Sequence, residues 1–337
     1  MYYFTNDYSE GAHESILQAL IQSNLEQEPG YGLDSHTATA IQKIRKAVEN
    51  QDVDVHLLPG GTQANLTAIA SFLRPHEACI AVESGHIATH ETGAIEATGH
   101  KIITVPCGDG KIRPAQIQEV VDWHKDEHSV QPRLVYISNS TEVGTIYNRN
   151  ELLDIRQACD RNNLLLYIDG ARIGAAIVVK EAELSLALHC QVADAFTIGA
   201  TKNGALLGEA IIIRNESLKE DFRYLIKQRG ALMAKGRILG IQFEALFTDD
   251  LYFDLARHAK KMADRLTDGL RSKGLTFFVD SPTNQVFPIV TKEQIQILQK
   301  DFAFYEWEPV GDQIAIRLVT SWATPQESVD SFLAAID

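Results

Sequence analysis

The chain has 337 residues, 45% of them hydrophobic, enough to bury a sizeable core and to build a large domain plus a smaller one. Lys and Arg number 31 against 45 Asp and Glu, and this formal charge of −14, spread without a basic block, argues against nucleic acid or an anionic membrane surface as a partner. Cys79, Cys107, Cys159 and Cys190 form no CxxC pair and read as reduced residues of a cytoplasmic protein, while the amino end lacks the features of a secretory signal and no apolar stretch approaches the roughly 20 residues of a membrane span.

After Phe4-Thr5-Asn6-Asp7-Tyr8, a helix is predicted around Ile16 to Leu25, closed by Glu28-Pro29-Gly30. Tyr31-Gly32-Leu33-Asp34-Ser35 is a turn, with a cap, leading into a helix whose Ala40, Ile41, Ile44, Ala47 and Val48 share one face. Val53 to Leu58 reads as the first strand of the large domain. It runs into Pro59-Gly60-Gly61-Thr62 and a helix through Leu73. Glycines there let the backbone approach a bulky anion, and the free amides at the helix start point toward it. A phosphate cradle is the functional reading and a plain helix start the other, for the turn lacks the Lys-Ser/Thr of a P-loop and the third glycine of a dinucleotide fingerprint.

The next strand, Ala78 to Val82, delivers Ser84-Gly85-His86-Ile87 and His90. His86 and His90 are spaced to share a helix face, but a zincin needs glutamate directly after its first histidine, where this chain has Ile87, and no metal site is expected. Lys101 to Val105 and Arg133 to Ile137 are further strands, separated by the amphipathic segment Pro114 to Trp123. The second leads into a loop carrying Thr141 and Glu142.

Leu164-Leu165-Leu166-Tyr167-Ile168-Asp169 is an apolar run too short for a useful helix, and it reads as a strand buried on both faces of a parallel sheet. Asp169 then sits at the strand's carboxyl end, the edge where open α/β sheets bind ligands. A partly desolvated carboxylate there needs a cation or strong donors. Arg172, pairing with it and capping the turn, is one answer. A second apolar strand from Ala195 ends near Lys202, 33 residues after Asp169. An Asp and a Lys at the ends of two buried strands match what a pyridoxal phosphate enzyme needs: the amine forms the Schiff base, and the carboxylate keeps the pyridine nitrogen protonated so that the ring accepts electrons.

Glu209 to Ile213 is expected to close a seven-stranded sheet by running antiparallel to its neighbours. A long helix follows, holding the basic cluster Lys227, Arg229, Lys235 and Arg237, interrupted by Gly230 and Gly236. From Asp249 another helix places Ala256, Ala259, Met262, Ala263 and Leu266 on one face. Leu275 to Val279, Gln285 to Val290, Phe302 to Trp307 and Gln313 to Val319 are strands, with a helix near Glu293 to Gln299, which makes a mostly antiparallel α+β unit. Arg317 stands inside an apolar strand, where an unpaired guanidinium is costly. A substrate carboxylate bound bidentately relieves that cost, as a structural salt bridge also would.

Taken together, the Tyr167-Ile168-Asp169-Gly170-Ala171-Arg172-Ile173 run, Lys202, Gly60-Gly61-Thr62, Ser84-Gly85-His86-Ile87 and Ile316-Arg317-Leu318-Val319-Thr320 resemble the low-specificity L-threonine aldolases. These belong to the β-eliminating-lyase-like group of fold type I pyridoxal phosphate enzymes, and the resemblance runs from Asn6 to the last helix. It implies an α/β fold with a mixed, mostly parallel seven-stranded sheet in a large domain, residues 1–245, and a small α+β domain, residues 246–337. The implied activity is pyridoxal 5'-phosphate-dependent cleavage of a threonine-type β-hydroxy-α-amino acid to glycine and an aldehyde, in a homodimer or homotetramer with shared sites.

By the same resemblance, Lys202 carries the cofactor, Asp169 holds its ring nitrogen and His86 stacks on the ring. Gly60, Gly61 and Thr62 cradle the phosphate, with Lys235 and Arg237 reaching it, in some relatives across a subunit boundary. Arg172 lies beside the cofactor and joins Arg317 on the substrate carboxylate, while Asn6 and Tyr31 approach the substrate on amino-terminal loops. Two positions depart from the family pattern. Asn6 stands where a serine is usual, and Thr141 and Glu142 occupy a loop that often carries a histidine for proton transfer at the substrate hydroxyl. A carboxylate, a hydroxyl with ordered water, and His86 all stay open for that proton. β-Elimination and transamination use the same Asp169 and Lys202; a cofactor-binding protein without turnover and a nicotinamide-dependent dehydrogenase fit the residues less well.

Overall fold

Strands that read as unbroken apolar runs lie in the middle of one sheet. In the computed structural model, which describes residues 1–336, the order across the sheet is Asp54–Leu58, Glu209–Ile213, Ala195–Gly199, Leu165–Asp169, Gln131–Ser138, Glu77–Val82, Lys101–Val105. Neighbours pair in parallel except Glu209–Ile213, which runs antiparallel to both of its neighbours. Strand number and the single reversed strand are as expected from the sequence. Every residue of Leu165–Asp169, Ala195–Gly199 and Glu209–Ile213 is buried, because helices cover both faces. Alternate side chains go to opposite cores: Leu166, Ile168 and Phe196 pack with Ile44, Ile155 and Phe243, whereas Leu165, Tyr167 and Ile211 pack with Ile69, Phe222 and Ile226. Parallel register sets Ser138 opposite Asp169, so the carboxyl ends of adjacent strands deliver their polar residues to one edge.

One expected element differs. The basic cluster does not ride on a long helix: helices Phe222–Gln228 and Arg237–Leu246 flank a loop, and Gly230 at φ +75° ends the first of them, a left-handed conformation that glycine adopts without strain.

The second unit is built on the 22-residue helix Leu251–Ser272, which buries one stripe from Tyr252 through Leu255, Ala259, Met262 and Leu266 to Leu270. Its antiparallel sheet has the order Tyr305–Val310, Gln313–Val319, Gln285–Val290, Phe277–Val279. The amino terminus is stitched to this unit. Tyr2–Tyr3 pairs in parallel with Phe302–Ala303, and the Phe4 ring packs 5.4 Å from that of Phe332. Residues 5–8 are thereby led toward the edge of the large sheet. No helix among the described residues is long and apolar enough to cross a membrane.

On the helix Ser35–Ala47, Asp34 is the cap, its Oδ1 accepting from Thr37 N at 2.7 Å. The same helix carries His36 between two carboxylates, with Nε2 2.8 Å from Glu26 and Nδ1 2.7 Å from Glu244. Burial pulls the imidazole pKa down, but the two carboxylates outweigh it and leave the pKa above the usual value. A raised folded-state pKa contributes stability that is complete below the unfolded value near ~6.5 and is lost as pH rises through the folded value. His36→Gln is therefore expected to cost about 1 kcal/mol at pH 6 and clearly less at pH 9. Urea melts of both proteins at the two pH values check this, and equal losses at both would refute it.

Candidate active site

At the carboxyl edge of the large sheet lies a cavity of about 350 Å³. Its wall includes Gly60, Gly61, Thr62, His86, Asp169, Arg172 and Lys202, together with Tyr8, Asn65, Glu91, Ser138, Glu142 and Glu209. Seven residues singled out from sequence thus meet in one place.

Asp169, 5% exposed, is held by neutral donors. Its Oδ2 accepts from Asn65 Nδ2 at 2.8 Å and Tyr136 Oη at 2.7 Å, and its Oδ1 from Ala171 N at 2.9 Å. Arg172 is not its partner. The guanidinium instead clasps Asp7, Nε to Oδ2 at 2.7 Å and Nη2 to Oδ1 at 3.0 Å, and Asn284 Nδ2 donates to the same carboxylate at 3.0 Å. Burial alone would push the Asp7 pKa up; Arg172, Lys202 and these hydrogen bonds outweigh it and leave the carboxyl below its usual range.

His86 leads a polar chain into the same corner. Its Nδ1 lies 2.8 Å from Glu91 Oε1, which also accepts from Asn65 Nδ2 at 2.8 Å, and Asn65 in turn donates to Asp169. Tyr167 Oη donates to Asn65 Oδ1 at 3.0 Å and so fixes the amide's orientation. The hydrogen bond to Glu91 raises the His86 pKa despite the opposing effect of burial.

The Lys202 amine makes no hydrogen bond or ion pair among the described residues. Burial and then Arg172 lower its pKa, against the pull of Asp7, Asp169 and Glu209. An amine shifted that way is neutral, and hence nucleophilic, over more of the working pH range. The strand ends carrying Asp169 and Lys202 touch backbone to backbone: a Cβ on Gly170 would lie 1.9 Å from Thr197 O, and one on Gly199 would lie 2.4 Å from Ala171 O. Glycine is required on both sides of that contact. Across the cavity, nothing lies within 4 Å of where a Cβ would stand on Gly60 or Gly61. The turn opens onto free space at the amino end of the 12-residue helix Gly61–Phe72, and Gly60 brings no side chain to cap it.

Residues 5–293 match the family described as beta-eliminating lyase. The low specificity L-threonine aldolase of a Pseudomonas species is 33% identical over 340 residues, spanning 99% of this chain and 96% of that protein. Its counterpart in Pseudomonas aeruginosa is 33% identical over 333 residues, spanning 97% of this chain and 94% of that one. The chain belongs to the β-eliminating lyase family, with the low-specificity L-threonine aldolases. A Leishmania major threonine aldolase structure superposes with a TM-score of 0.98 at 49% identity, covering 99% of this chain and 98% of that one. Thermus thermophilus aspartate aminotransferase, at 14% identity with a TM-score of 0.73 over 99% of this chain and 90% of that one, shows the fold alone, the fold type I architecture of pyridoxal phosphate enzymes.

Several other expected residues stand outside the cavity. Arg317 is beside it: its guanidinium carbon lies 5.1 Å from the Tyr305 ring centroid and 5.2 Å from that of Trp307, and Nη2 donates to Thr5 O at 3.3 Å. It forms no ion pair among the described residues, and its Nε is buried without a partner. Burial and the neighbouring Arg172 hold its pKa below the usual value. Asn6 is turned onto its own loop, with Oδ1 accepting from Tyr8 N at 2.9 Å and Ser9 Oγ at 3.1 Å. Tyr31 lines a separate cleft, its ring 4.6 Å from Lys227 Nζ. Lys235 lines a surface cleft with Glu26 and Glu28, and Arg237 donates to Glu26 O at 2.7 Å. Sequence reasoning had not singled out Asp7, Asn65, Glu91, Tyr136 or Glu209 for the site. Tyr136 and Glu209 were hidden inside strands, and the other three meet their partners only through the tertiary fold.

Proposed function

We propose that this chain catalyses pyridoxal 5'-phosphate-dependent aldol cleavage of a β-hydroxy-α-amino acid of the L-threonine or L-allo-threonine type, releasing glycine and an aldehyde. The observation that carries this reading is the unpaired Lys202 amine sharing a cavity with the Asp169 carboxylate, in a chain whose full-length relatives are threonine aldolases. The residues fit the cofactor: an uncommitted amine for its aldehyde, a carboxylate for its ring nitrogen, and an open glycine turn at a helix start for its phosphate. When bound, pyridoxal phosphate supplies an electron sink for the bond that breaks at the substrate's α-carbon.

The protein's own part is to hold and orient. Lys202 would hold the cofactor's aldehyde, its depressed pKa leaving the amine nucleophilic. Asp169 would hold the ring nitrogen of the bound cofactor and favour its protonated form. His86, stiffened by Glu91, would stack on the ring of the bound cofactor. Arg317, which lacks an anionic partner of its own, receives the substrate carboxylate, whereas Arg172 is committed to Asp7 and shapes the wall. Arg317→Ala is accordingly expected to raise KM for threonine by about 10²-fold, in the range for removing one partner of a charged pair, with kcat much less affected. Arg317→Lys should restore little, because the planar fork is lost. A KM within threefold of wild type would remove Arg317 from the substrate site.

The exposed apolar side chains of Ile21, Leu25 and Leu33, 75%, 90% and 66% accessible, support assembly as a homodimer or homotetramer. In such an assembly Lys235 and Arg237 serve a neighbouring cavity. Product analysis tests the central reading: purified protein with pyridoxal phosphate is given L-threonine and L-allo-threonine, and glycine and pyruvate are both assayed. Glycine supports aldol cleavage; pyruvate in its place makes the protein a β-eliminating enzyme.

A further inference from the structure

The loop from Ser138 to Thr145 leaves the sheet beside Asp169 and is tied from two sides. Tyr147 N donates to Asn139 Oδ1 at 3.1 Å, and Thr141 N to Thr145 O at 2.9 Å. From the second unit, Ser281 Oγ donates to Gly144 O at 2.9 Å and Gln285 Nε2 to Thr141 O at 3.4 Å. Side chains on a loop tied this firmly are preorganised.

Two of the groups left open for the substrate's hydroxyl proton are already committed. The Thr145 hydroxyl donates to Asp109 O at 2.7 Å, so the Thr141 hydroxyl 2.7 Å away must donate to Thr145, and it also accepts from Thr145 N at 3.1 Å. His86 has its Nδ1 engaged with Glu91 Oε1 at 2.8 Å, and its ring is assigned above to stacking on the cofactor. Glu142 is different. Its Oε1 accepts from His86 N at 2.9 Å and Ser138 Oγ at 2.6 Å, while its Oε2 is buried with no hydrogen-bond partner, and the residue lines the cavity. A buried carboxylate oxygen without a donor is costly, and a hydroxyl brought into the cavity removes that cost.

The geometry points to Glu142 as the catalytic base that takes the β-hydroxyl proton of the substrate. This rests on the aldol cleavage proposed above. The O–H bond breaks and its proton bonds to the Glu142 carboxylate, the freed electron pair becomes the second bond of the aldehyde carbonyl, and the Cα–Cβ pair stays on the α-carbon. That carbon then takes one proton to become glycine, and Glu142 returns its proton to solvent, so the count closes. Burial, reinforced by Asp169, lifts the Glu142 pKa above the usual carboxylate range, against the hydrogen bonds it accepts, and so toward the pH at which a base works best.

Glu142→Gln tests the assignment in the holoenzyme, because the amide oxygen can still accept from His86 N and Ser138. Two rates are compared: release of glycine from L-threonine, and exchange of the α-proton of glycine with deuterium oxide, which needs the cofactor and Asp169 but no hydroxyl base. The visible cofactor absorbance reports binding. Cleavage is expected to fall about 10²- to 10⁴-fold, with exchange and absorbance within about threefold of wild type. Glu142→Asp should recover part of the cleavage and shift the acid limb of its pH profile. Cleavage within threefold of wild type in the Gln variant overturns the assignment. Cleavage, exchange and absorbance falling together overturn it as well, showing that Glu142 only supports the turn at His86. Wild-type protein that makes pyruvate and no glycine fails the functional reading itself, which the variant comparison does not enter.

Discussion

Replacing Lys202 with alanine is expected to abolish turnover, lowering kcat by about 10⁴-fold or more, and to remove the visible absorbance that appears when pyridoxal phosphate is added. The reason is local. Lys202 is the amine in the cavity wall with no partner, and Arg172, the guanidinium on that wall, is locked onto Asp7. No other group there can anchor an aldehyde. Because the Lys202 amine makes no hydrogen bond or ion pair among the described residues, its truncation should leave the unfolding midpoint near that of wild type. A mutant that retains the absorbance band would show that the cofactor argument is mistaken, whatever happens to activity.

Asp7→Asn should destabilise the protein by about 3–5 kcal/mol at pH 7, the cost of removing one partner of a buried ion pair. The Asp7 side chain is 1% exposed and the Arg172 side chain 15%, so solvent can do little to rescue the orphaned guanidinium. The pH dependence follows from the direction of the shift. A carboxyl whose folded pKa is depressed contributes stability that is fully present above its unfolded value near ~3.9 and is lost as pH falls through the folded value. The gap between wild type and Asp7→Asn should therefore be wide from neutral pH down to about 4 and close only in stronger acid. Urea unfolding across that range measures it; a gap below 1 kcal/mol at pH 7 would show that Arg172 finds another partner.

How much of this was legible in the sequence depends on the distance over which each feature is determined. The central strands were readable because burial on both faces leaves no polar alternation, and their ends were readable because Asp169 and Lys202 stop apolar runs. The reversed strand Glu209–Ile213 was anticipated and sits between two antiparallel partners. The basic segment misled because Gly230 looked like an interruption within a helix, whereas its left-handed φ ends one helix before the next begins. Side-chain pairings were not legible. Pairing of Arg172 with the aspartate three residues away was one reading of the sequence, yet Arg172 found a partner 165 residues earlier, and Asp169 drew its donor from Asn65 at a separation of 104. Nothing in a local window distinguishes Asp7 or Asn65 from ordinary polar residues; only the closed fold brings them to the cavity.

The glycine contact between the two strand ends has a practical side. With Gly170 against Thr197 and Gly199 against Ala171, the spacing of the Asp169 and Lys202 strands is gauged by two absent side chains, much as a shim sets a gap. Even a methyl group would force the backbones apart and move the carboxylate relative to the amine. Mutagenesis libraries aimed at changing substrate preference are best directed at other cavity-lining residues such as Tyr8 and Ser140, with both glycines of that gap left fixed.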